Sequence, residues 1–173
     1  MNLFDPRAST LNRNDFISRF GGVYEHSPWV AEGAYAAGLS PAEDSPDALA
    51  ARMASIVETA GHERQLALLR AHPELAGKLA IAGHLTAESR TEQASARLDQ
   101  CSPQEFSRFQ ELNHAYNAWF QFPFIIAVRG LQRTDILTAF ERRIGNDKAG
   151  EFREALDQVH KIARLRLQAM ATQ

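Results

Sequence analysis

The first stretch with a chemical character is Ala71-His72-Pro73-Glu74-Leu75-Ala76-Gly77-Lys78. His72 follows an apolar helical pattern and precedes Pro73, and a proline disfavours helical geometry in the residue before it. The preceding helix is therefore predicted to end here, which lets the imidazole point into a cavity. With a reference pKa of about 6.5, a histidine is suited to proton transfer at neutral pH. A histidine that only caps the helix or lies on the surface fits the same pattern, so both interpretations stay open.

The last predicted helix places an arginine among apolar residues. Its apolar stripe consists of Phe152, Ala155, Leu156, Val159, Ala163, Leu167 and Met170. At about 100° per residue, Arg166 falls inside that stripe, whereas Arg164 points away from it. A guanidinium that faces a core needs an anion or several carbonyls, because it does not lose its proton. An anion-binding role and a structural salt bridge both remain open for Arg166.

Polar residues also occupy defined faces of two other predicted helices. Asn113 lies in the middle of an aromatic face, where a buried amide must be hydrogen-bonded, and we interpret it as a tie between two helices. Ser89, Glu92 and Gln93 share one face of the helix that Thr86 caps. That face lies opposite a weak stripe formed by Ala87, Thr91, Ala94 and Leu98. Periodicity alone therefore predicts that the three polar residues are solvated.

The elements that must position these residues are predicted to be helices. Polar caps, often followed by proline, precede most of the apolar runs. The predicted starts are Asn12 or Asn14, Ser27-Pro28, Ser45-Pro46, Gly61, Thr86 (through about Gln100), the capping box Ser102-Pro103-Gln104-Glu105, Thr134 and Asn146. The run 124–128 is apolar and β-branched, but no partner strand is evident, so we interpret it as buried helix or extended connection. The prediction is an all-α, compact single domain over 1–173 with roughly eight helices.

Composition limits the classes of function. A chain of 173 residues with 45% apolar residues is long enough for one domain with a real core. A formal charge of -2 gives no reason to expect nucleic acid or an anionic membrane as a partner. No apolar run reaches the length of a membrane span, and the N-terminal residues do not resemble a signal peptide. Together with the single Cys101, these features predict a cytoplasmic protein.

A metal site is not expected from the histidines. His62, His72 and His84 are too far apart in the sequence to form a helical zinc pair. No other metal-ligand spacing is evident, so the prediction is no metal.

Several blocks together resemble one family. They are Phe20 to Glu32, Ala71 to Lys78, Ser89 to Gln93, Leu112-Asn113-His114-Ala115-Tyr116, Phe122 to Ile126, Glu141-Arg142-Arg143 and Ile162 to Leu167. In this order they resemble the 2-oxo-4-hydroxy-4-carboxy-5-ureidoimidazoline (OHCU) decarboxylase family of urate degradation, over nearly the whole chain. The resemblance implies an all-helical, cofactor-free enzyme that acts after urate oxidase and hydroxyisourate hydrolase. Its expected reaction converts OHCU to (S)-allantoin and carbon dioxide. The resemblance also makes a homodimer one expected oligomeric state.

The resemblance also assigns roles to individual residues. His72 matches the catalytic histidine, Pro73 its substrate-contacting neighbour, and Glu92 the acidic partner. The further substrate-binding positions that it implies are Ser89, Arg90, Thr91, Gln93, Phe124, Ile125, Ile126, Ala127, Val128 and Arg166. The backbone of Phe124 to Val128 is the part expected to contact the substrate. One departure is that family members often have a basic residue and a glycine where this chain has Trp119 and Gln121.

Two other functions remain open from the residues themselves. A different cofactor-free His/Glu enzyme acting on a ureide would use the same kind of histidine and carboxylate. A non-catalytic helical interaction domain would instead present the polar helix after Thr86 to a partner, with His72 only capping.

Overall fold

The chain is predominantly helical in a computed structural model that describes residues 2–77 and 85–171. Lys78 and His84 therefore lie outside the described residues. The α-helices are α1 (Arg13–Phe20), α2 (Trp29–Ala36), α3 (Pro46–Glu58), α4 (His62–Arg70), α5 (Ala87–Ser95), α6 (Pro103–Phe120), α7 (Arg133–Arg143) and α8 (Lys148–Met170). Short 3-10 helices occupy Ala8–Thr10, Pro41–Asp44 and Leu98–Gln100. No residue of 2–77 or 85–171 lies in a β-strand, so the all-α prediction with about eight helices is confirmed.

Four of the predicted helix starts are confirmed by their capping hydrogen bonds. Thr86 precedes α5 and accepts from the Ser89 N–H at 3.2 Å. The Asn12 side chain accepts from the backbone N–H of Asp15 at 2.9 Å, and α1 begins directly after it. Ser45 caps α3, with Pro46 in the first helical position. Ser102 and Glu105 form the predicted capping box of α6. Each such bond satisfies an N–H that the first turn leaves without a helical acceptor.

Four helix boundaries differ from the prediction. Helix α5 ends at Ser95 and not near Gln100, because Arg97 takes up left-handed backbone geometry (φ 56°) and breaks the helix. Helix α7 starts before Thr134, since the Gln132 N–H donates to Asp135 at 2.9 Å. Helix α8 has Asp147, not Asn146, accepting from the Gly150 N–H at 2.6 Å. Helix α2 begins at Trp29 with Pro28 in the N-cap position, one residue later than the predicted Ser27 cap.

The chain divides into two compact units. The first consists of Met1–Ala71 with Val159–Gln173, and the second of His72–Gln158. Helix α8 contributes its residues up to Gln158 to the second unit and the rest to the first. The predicted single domain over 1–173 stays a prediction.

The first unit has an aromatic cluster at its N-terminal end. The Phe4 and Phe16 rings lie 5.0 and 4.9 Å from that of Phe20. Helix α3 adds Leu49 and Met53, which are fully buried. Full burial of an apolar side chain of this size stabilises a fold by about 1.5–3 kcal/mol.

The second unit is centred on Tyr116 of helix α6. Its ring lies within 4.6 to 5.8 Å of the rings of Phe120, Phe122, Phe124 and Phe140. Phe124 and Phe140 stack at 3.9 Å between centroids with an interplanar angle of 8°. This packing holds Phe124, which lies in the non-helical connection 121–132 between α6 and α7, so the second of the two interpretations of 124–128 is confirmed.

Candidate active site

The loop 72–77 follows helix α4 and begins with the predicted catalytic histidine. His72 is 9% exposed, and its Nε2 atom is fully buried. Pro73 and Glu74 are half-buried, and Leu75 and Ala76 are buried. A histidine on the surface, one of the two interpretations left open by the sequence, is therefore wrong.

Four amide side chains hold this loop, and we call Gln93, Gln110, Asn113 and Asn117 the amide clamp. Their donors reach loop oxygens: Gln93 to Glu74 O (3.3 Å), Gln110 to Ala76 O (2.8 Å), Asn113 to Leu75 O (3.0 Å) and Asn117 to Glu74 Oε1 (2.6 Å). The Gln93 amide oxygen also accepts from the Ala76 N–H at 3.2 Å. The Nδ2 donor of the buried Asn113 is thus hydrogen-bonded as predicted, whereas its buried Oδ1 has no partner among residues 2–77 and 85–171. The side chain ties a helix to a loop and not two helices together.

The clamp fixes an uncommon backbone conformation. Ala76 has φ 50°, in the left-handed region where a side chain other than glycine costs about 1–2 kcal/mol. Both its N–H and its carbonyl are hydrogen-bonded to clamp amides. Such strain persists only where the surrounding structure over-determines it, and it is common at functional sites.

Helix α5 buries two of the three polar residues that periodicity predicted to be solvated. Ser89 and Gln93 are 4% and 6% exposed, and Glu92 is half-buried, so that prediction is wrong for Ser89 and Gln93. The prediction failed because the apolar stripe on the opposite face does not form the buried side of the helix. Leu98 lies beyond the end of the helix, and the other three stripe residues are exposed.

The two remaining residues of the predicted substrate-binding block lie on the solvent-exposed side of helix α5. Arg90 and Thr91 are exposed. The Thr91 hydroxyl donates to the Ala87 carbonyl of its own helix at 2.9 Å. Arg90 Nη2 donates to the Leu85 carbonyl at 3.4 Å.

The segment 124–128 is held through its backbone. The Ile125 carbonyl accepts from Arg143 Nη1 at 2.7 Å, and the Ala127 N–H donates to the Gln158 side chain at 2.9 Å. Phe124, Ile125, Ala127 and Val128 are buried, whereas Ile126 is half-buried. An apolar, water-poor backbone of this kind strengthens any hydrogen bond it makes to a ligand.

Arg143 belongs to a buried ion cluster that we define as Arg143, Glu151, Tyr116 and Asn146. Arg143 and Glu151 are both 0% exposed, and Nε and Nη2 of Arg143 donate to Glu151 Oε1 at 2.9 and 2.6 Å. Tyr116 donates to the same oxygen, and Asn146 donates to Glu151 Oε2 at 2.9 Å. The guanidinium also lies 4.4 Å from the Phe124 ring centroid. These partners compensate charges that are costly to bury alone.

The cluster changes the acidity of its tyrosine. Burial, and then the hydrogen bond to Glu151, raise the pKa of Tyr116 well above its ordinary value. Desolvation disfavours the phenolate, and the adjacent carboxylate repels it.

The sequence carried signals for these residues that the interpretation did not use. Arg143 continues the buried stripe of Ile136 and Phe140 on α7, as Arg166 does on α8. Glu151 lies four residues before the buried Ala155. Charged residues on an apolar stripe are therefore the signal that identifies the cluster. Gln110 and Asn117 flank Asn113 at helical spacing, which marks an amide stripe.

Arg166 lies in the first unit and is 6% exposed, so its predicted inward orientation is confirmed. Its guanidinium lies 3.6 Å from the Glu25 carboxylate and donates to the Val23 carbonyl at 3.2 Å. Arg164 is exposed, as predicted, and donates to Asp47 at 2.8 Å. The structural salt bridge is thus present, and the substrate role of Arg166 stays a prediction.

A cavity of about 570 Å³ adjoins the loop and helix α5. Its lining includes Ala76, Gln93, Phe106 and Cys101. Burial raises the pKa of the Cys101 thiol, so this group is mainly protonated at neutral pH. Among residues 2–77 and 85–171, no three His, Cys, Asp or Glu side chains gather as metal ligands. In the same part of the chain, no helix has the length and apolar character needed to cross a membrane.

The sequence matches one family model over almost its whole length. The family described as OHCU decarboxylase matches residues 9–168. The chain belongs to the OHCU decarboxylase family.

Relatives agree with this assignment. A 2-oxo-4-hydroxy-4-carboxy-5-ureidoimidazoline decarboxylase from Haloferax volcanii is 44% identical over 161 residues, which are 93% of this chain and 92% of the relative. A protein of the same name from Halalkalicoccus jeotgali is 41% identical over 163 residues, 92% of this chain and 89% of the relative. A crystal structure of (S)-allantoin synthase superposes with a TM-score of 0.75 at 34% identity and covers 94% of this chain. The chain spans about half, 52%, of that solved protein.

Trp119 and Gln121, the two departures from the family pattern, can each be described by their local structure. Gln121 ends helix α6 with φ 64°, a conformation that glycine adopts without strain. Trp119 is 55% exposed, with the Lys148 ammonium 4.5 Å from its ring centroid. A basic residue thus remains at this position in space, although it comes from helix α8.

Proposed function

We propose that this protein is an OHCU decarboxylase that forms (S)-allantoin and carbon dioxide in urate degradation. The observation that carries the proposal is the buried His72 at the start of a loop that four amide side chains hold, three of them through its backbone. Family membership supports the substrate, and the similarity to an (S)-allantoin synthase supports the handedness of the product. Proton transfer by His72 is part of the proposal.

The reaction needs an electron sink and one proton delivered to one face. The bond between the ring carbon and its carboxylate breaks, carbon dioxide leaves, and the electron pair moves through the conjugated ring to the ring nitrogen beside the ureido-bearing carbon, which takes up a proton. The hydroxyl on that carbon then loses its proton and becomes a carbonyl, while the neighbouring carbon that bears the ureido group gains a proton. Starting from the carboxylate, one net proton is taken up. The substrate's own ring accepts the electron pair, so the proposal assigns no cofactor.

His72 is the group that moves a proton in this scheme. General acid–base catalysis of this kind contributes about 10²- to 10⁴-fold to a rate. Its buried environment supports the role, because a water-poor site prevents random protonation of the intermediate from both faces.

The remaining assigned residues bind and orient the substrate. Glu92, half-buried on α5, orients the imidazole or accepts from ureido N–H groups, and the buried Ser89 supplies a hydroxyl. Backbone groups of Ile125 to Val128 meet the planar amides. Arg166, a substrate-binding position by the resemblance, would clamp a carboxylate or carbonyl of the substrate, since a guanidinium matches carboxylate geometry.

The test is a stereochemical assay with freshly made substrate. OHCU is generated from urate with the two upstream enzymes, and near-UV circular dichroism is followed with and without the protein. Spontaneous decay gives racemic allantoin, so rapid loss of the OHCU signal with a lasting signal of one allantoin enantiomer is expected. Decay identical to the blank from a folded helical sample would refute the proposal and favour the interaction domain.

A further inference from the structure

We propose that the amide clamp is a positioning device for His72, with Gln110 and Asn113 as its principal members. The inference rests on the proposed function, because it treats His72 as the residue that moves the proton. None of the clamp residues on helix α6 needs to touch the substrate for this role.

The clamp acts on the residues just after the histidine. It binds the loop at the second, third and fourth residues after His72, through Glu74, Leu75 and Ala76. Pro73 stands between His72 and this anchored part, and its ring fixes its φ. Few torsions therefore remain free between the anchored carbonyls and the imidazole.

The clamp also explains why a strained residue persists in the loop. Left-handed Ala76 has its N–H bound by Gln93 and its carbonyl bound by Gln110. Releasing either bond lets Ala76 return to ordinary backbone geometry, and this relaxation moves the loop. A side chain serving only to fill space would not need donors aimed at successive carbonyls.

The arrangement of donors on α6 follows the helical repeat. Gln110, Asn113 and Asn117 are spaced three and four residues apart, so their amides form one row along the helix. The row runs antiparallel to the loop it binds, since Gln110 reaches Ala76 and Asn117 reaches Glu74. A continuous helix thus sets the spacing of the loop, and rigid elements position groups more accurately than loops do.

The experiment compares Gln110→Glu and Asn113→Asp with the matched control Gln104→Glu, at an exposed position of the same helix. Each clamp variant replaces an amide donor by a carboxylate oxygen that faces a carbonyl, with almost no change in shape. Gln110→Met removes the donor without adding charge and serves if the acidic variants do not fold. Folding is checked by far-UV circular dichroism and thermal melting. kcat and KM are measured with OHCU, and the His72 imidazole signals, assigned with His72→Asn, are recorded by NMR.

We expect kcat to fall by about 10- to 100-fold in the clamp variants, as for an ångström-scale misplacement of a catalytic group, with KM changing much less. The His72 signals should move in both variants and stay in place in Gln104→Glu. Folded clamp variants with wild-type kcat would overturn the inference.

Failure of the proposed function is distinguishable from failure of the clamp. If the wild-type protein does not turn over OHCU, the proposed function is refuted. The positioning role of the amide clamp is then tested by the His72 NMR signals alone. In that case, unmoved His72 signals overturn the positioning role, and shifted signals support it.

Discussion

The loop 72–77 is anchored through neutral amides, whereas the segment 124–128 is anchored through a buried ion cluster and the Gln158 amide. On one row of α6, the amide clamp binds loop carbonyls. On the neighbouring row, Tyr116 binds Glu151, whose partner Arg143 holds the Ile125 carbonyl. One helix thus fixes two backbone segments that the proposed function assigns to the substrate.

These two kinds of anchor predict different effects of substitution on stability. A neutral hydrogen bond contributes about 0.5–1.5 kcal/mol net, so a clamp amide can be lost without unfolding the protein. A buried charge that loses its partner is far more costly. The ion cluster is therefore expected to govern stability, and the clamp is expected to govern catalysis more than stability.

Removal of the buried cation gives the largest expected loss of stability. Arg143→Met leaves the Glu151 carboxylate buried with only neutral donors, and the free energy of unfolding should fall by about 3–5 kcal/mol. Urea unfolding measures this. The matched control is Arg142→Met, an exposed neighbour with a 3.1 Å ion pair to Glu154, for which about 0–1 kcal/mol is expected.

A double variant sharpens the same point. Arg143→Met combined with Glu151→Met removes both charges, and it should recover part of the stability lost in the single variant. Equal loss in Arg143→Met and Arg142→Met would contradict the account of the cluster.

Removal of one clamp amide should have an intermediate effect. Gln93→Met deletes two hydrogen bonds to the loop and leaves the buried Ala76 N–H without its acceptor. The expected loss is about 1–3 kcal/mol by urea unfolding, less than for Arg143→Met. Gln104→Met, at an exposed position, is the control. A loss as large as that of Arg143→Met would remove the distinction between the two anchors.

The smallest expected effect is a difference in alkaline pH dependence. Burial raises the pKa of Tyr116 above the unfolded value of about 10, so its stabilising contribution is complete below pH 10 and is lost as pH rises further. Tyr116→Phe should therefore reduce the alkaline slope of the unfolding free energy by up to about 1.4 kcal/mol per pH unit. Gln110→Met should leave that slope unchanged, because an amide does not titrate. Equal slopes in wild type and Tyr116→Phe would contradict the assigned cause.

The helical architecture was predictable because its signals are local. Asn12, Ser45 and Ser102 are capping residues whose effect is felt within one turn, and each was assigned correctly. The inward orientation of Arg166 followed from periodicity alone. These predictions need no knowledge of what a helix packs against.

The clamp and the burial of α5 were not predictable in the same way. Gln93 has a polar side chain on a weakly amphipathic helix, and its burial depends on the loop 74–76, 17 to 19 residues away. The break at Arg97 separates Leu98 from helix α5, so the apolar stripe used to predict the buried face does not exist on the folded helix. The prediction that His72 is catalytic came from the family resemblance, because a lone His-Pro more often fits a histidine that caps a helix or lies on the surface.

The most direct test of the account is the rate and the handedness of OHCU turnover in His72→Asn beside the wild-type protein. Asparagine keeps polarity and approximate size but moves no proton, so far-UV circular dichroism and the melting temperature should change little. We expect kcat to fall by about 10²- to 10⁴-fold, with the remaining allantoin racemic from spontaneous decay. A folded His72→Asn protein with a near-wild-type rate and a single allantoin enantiomer would contradict the central claim.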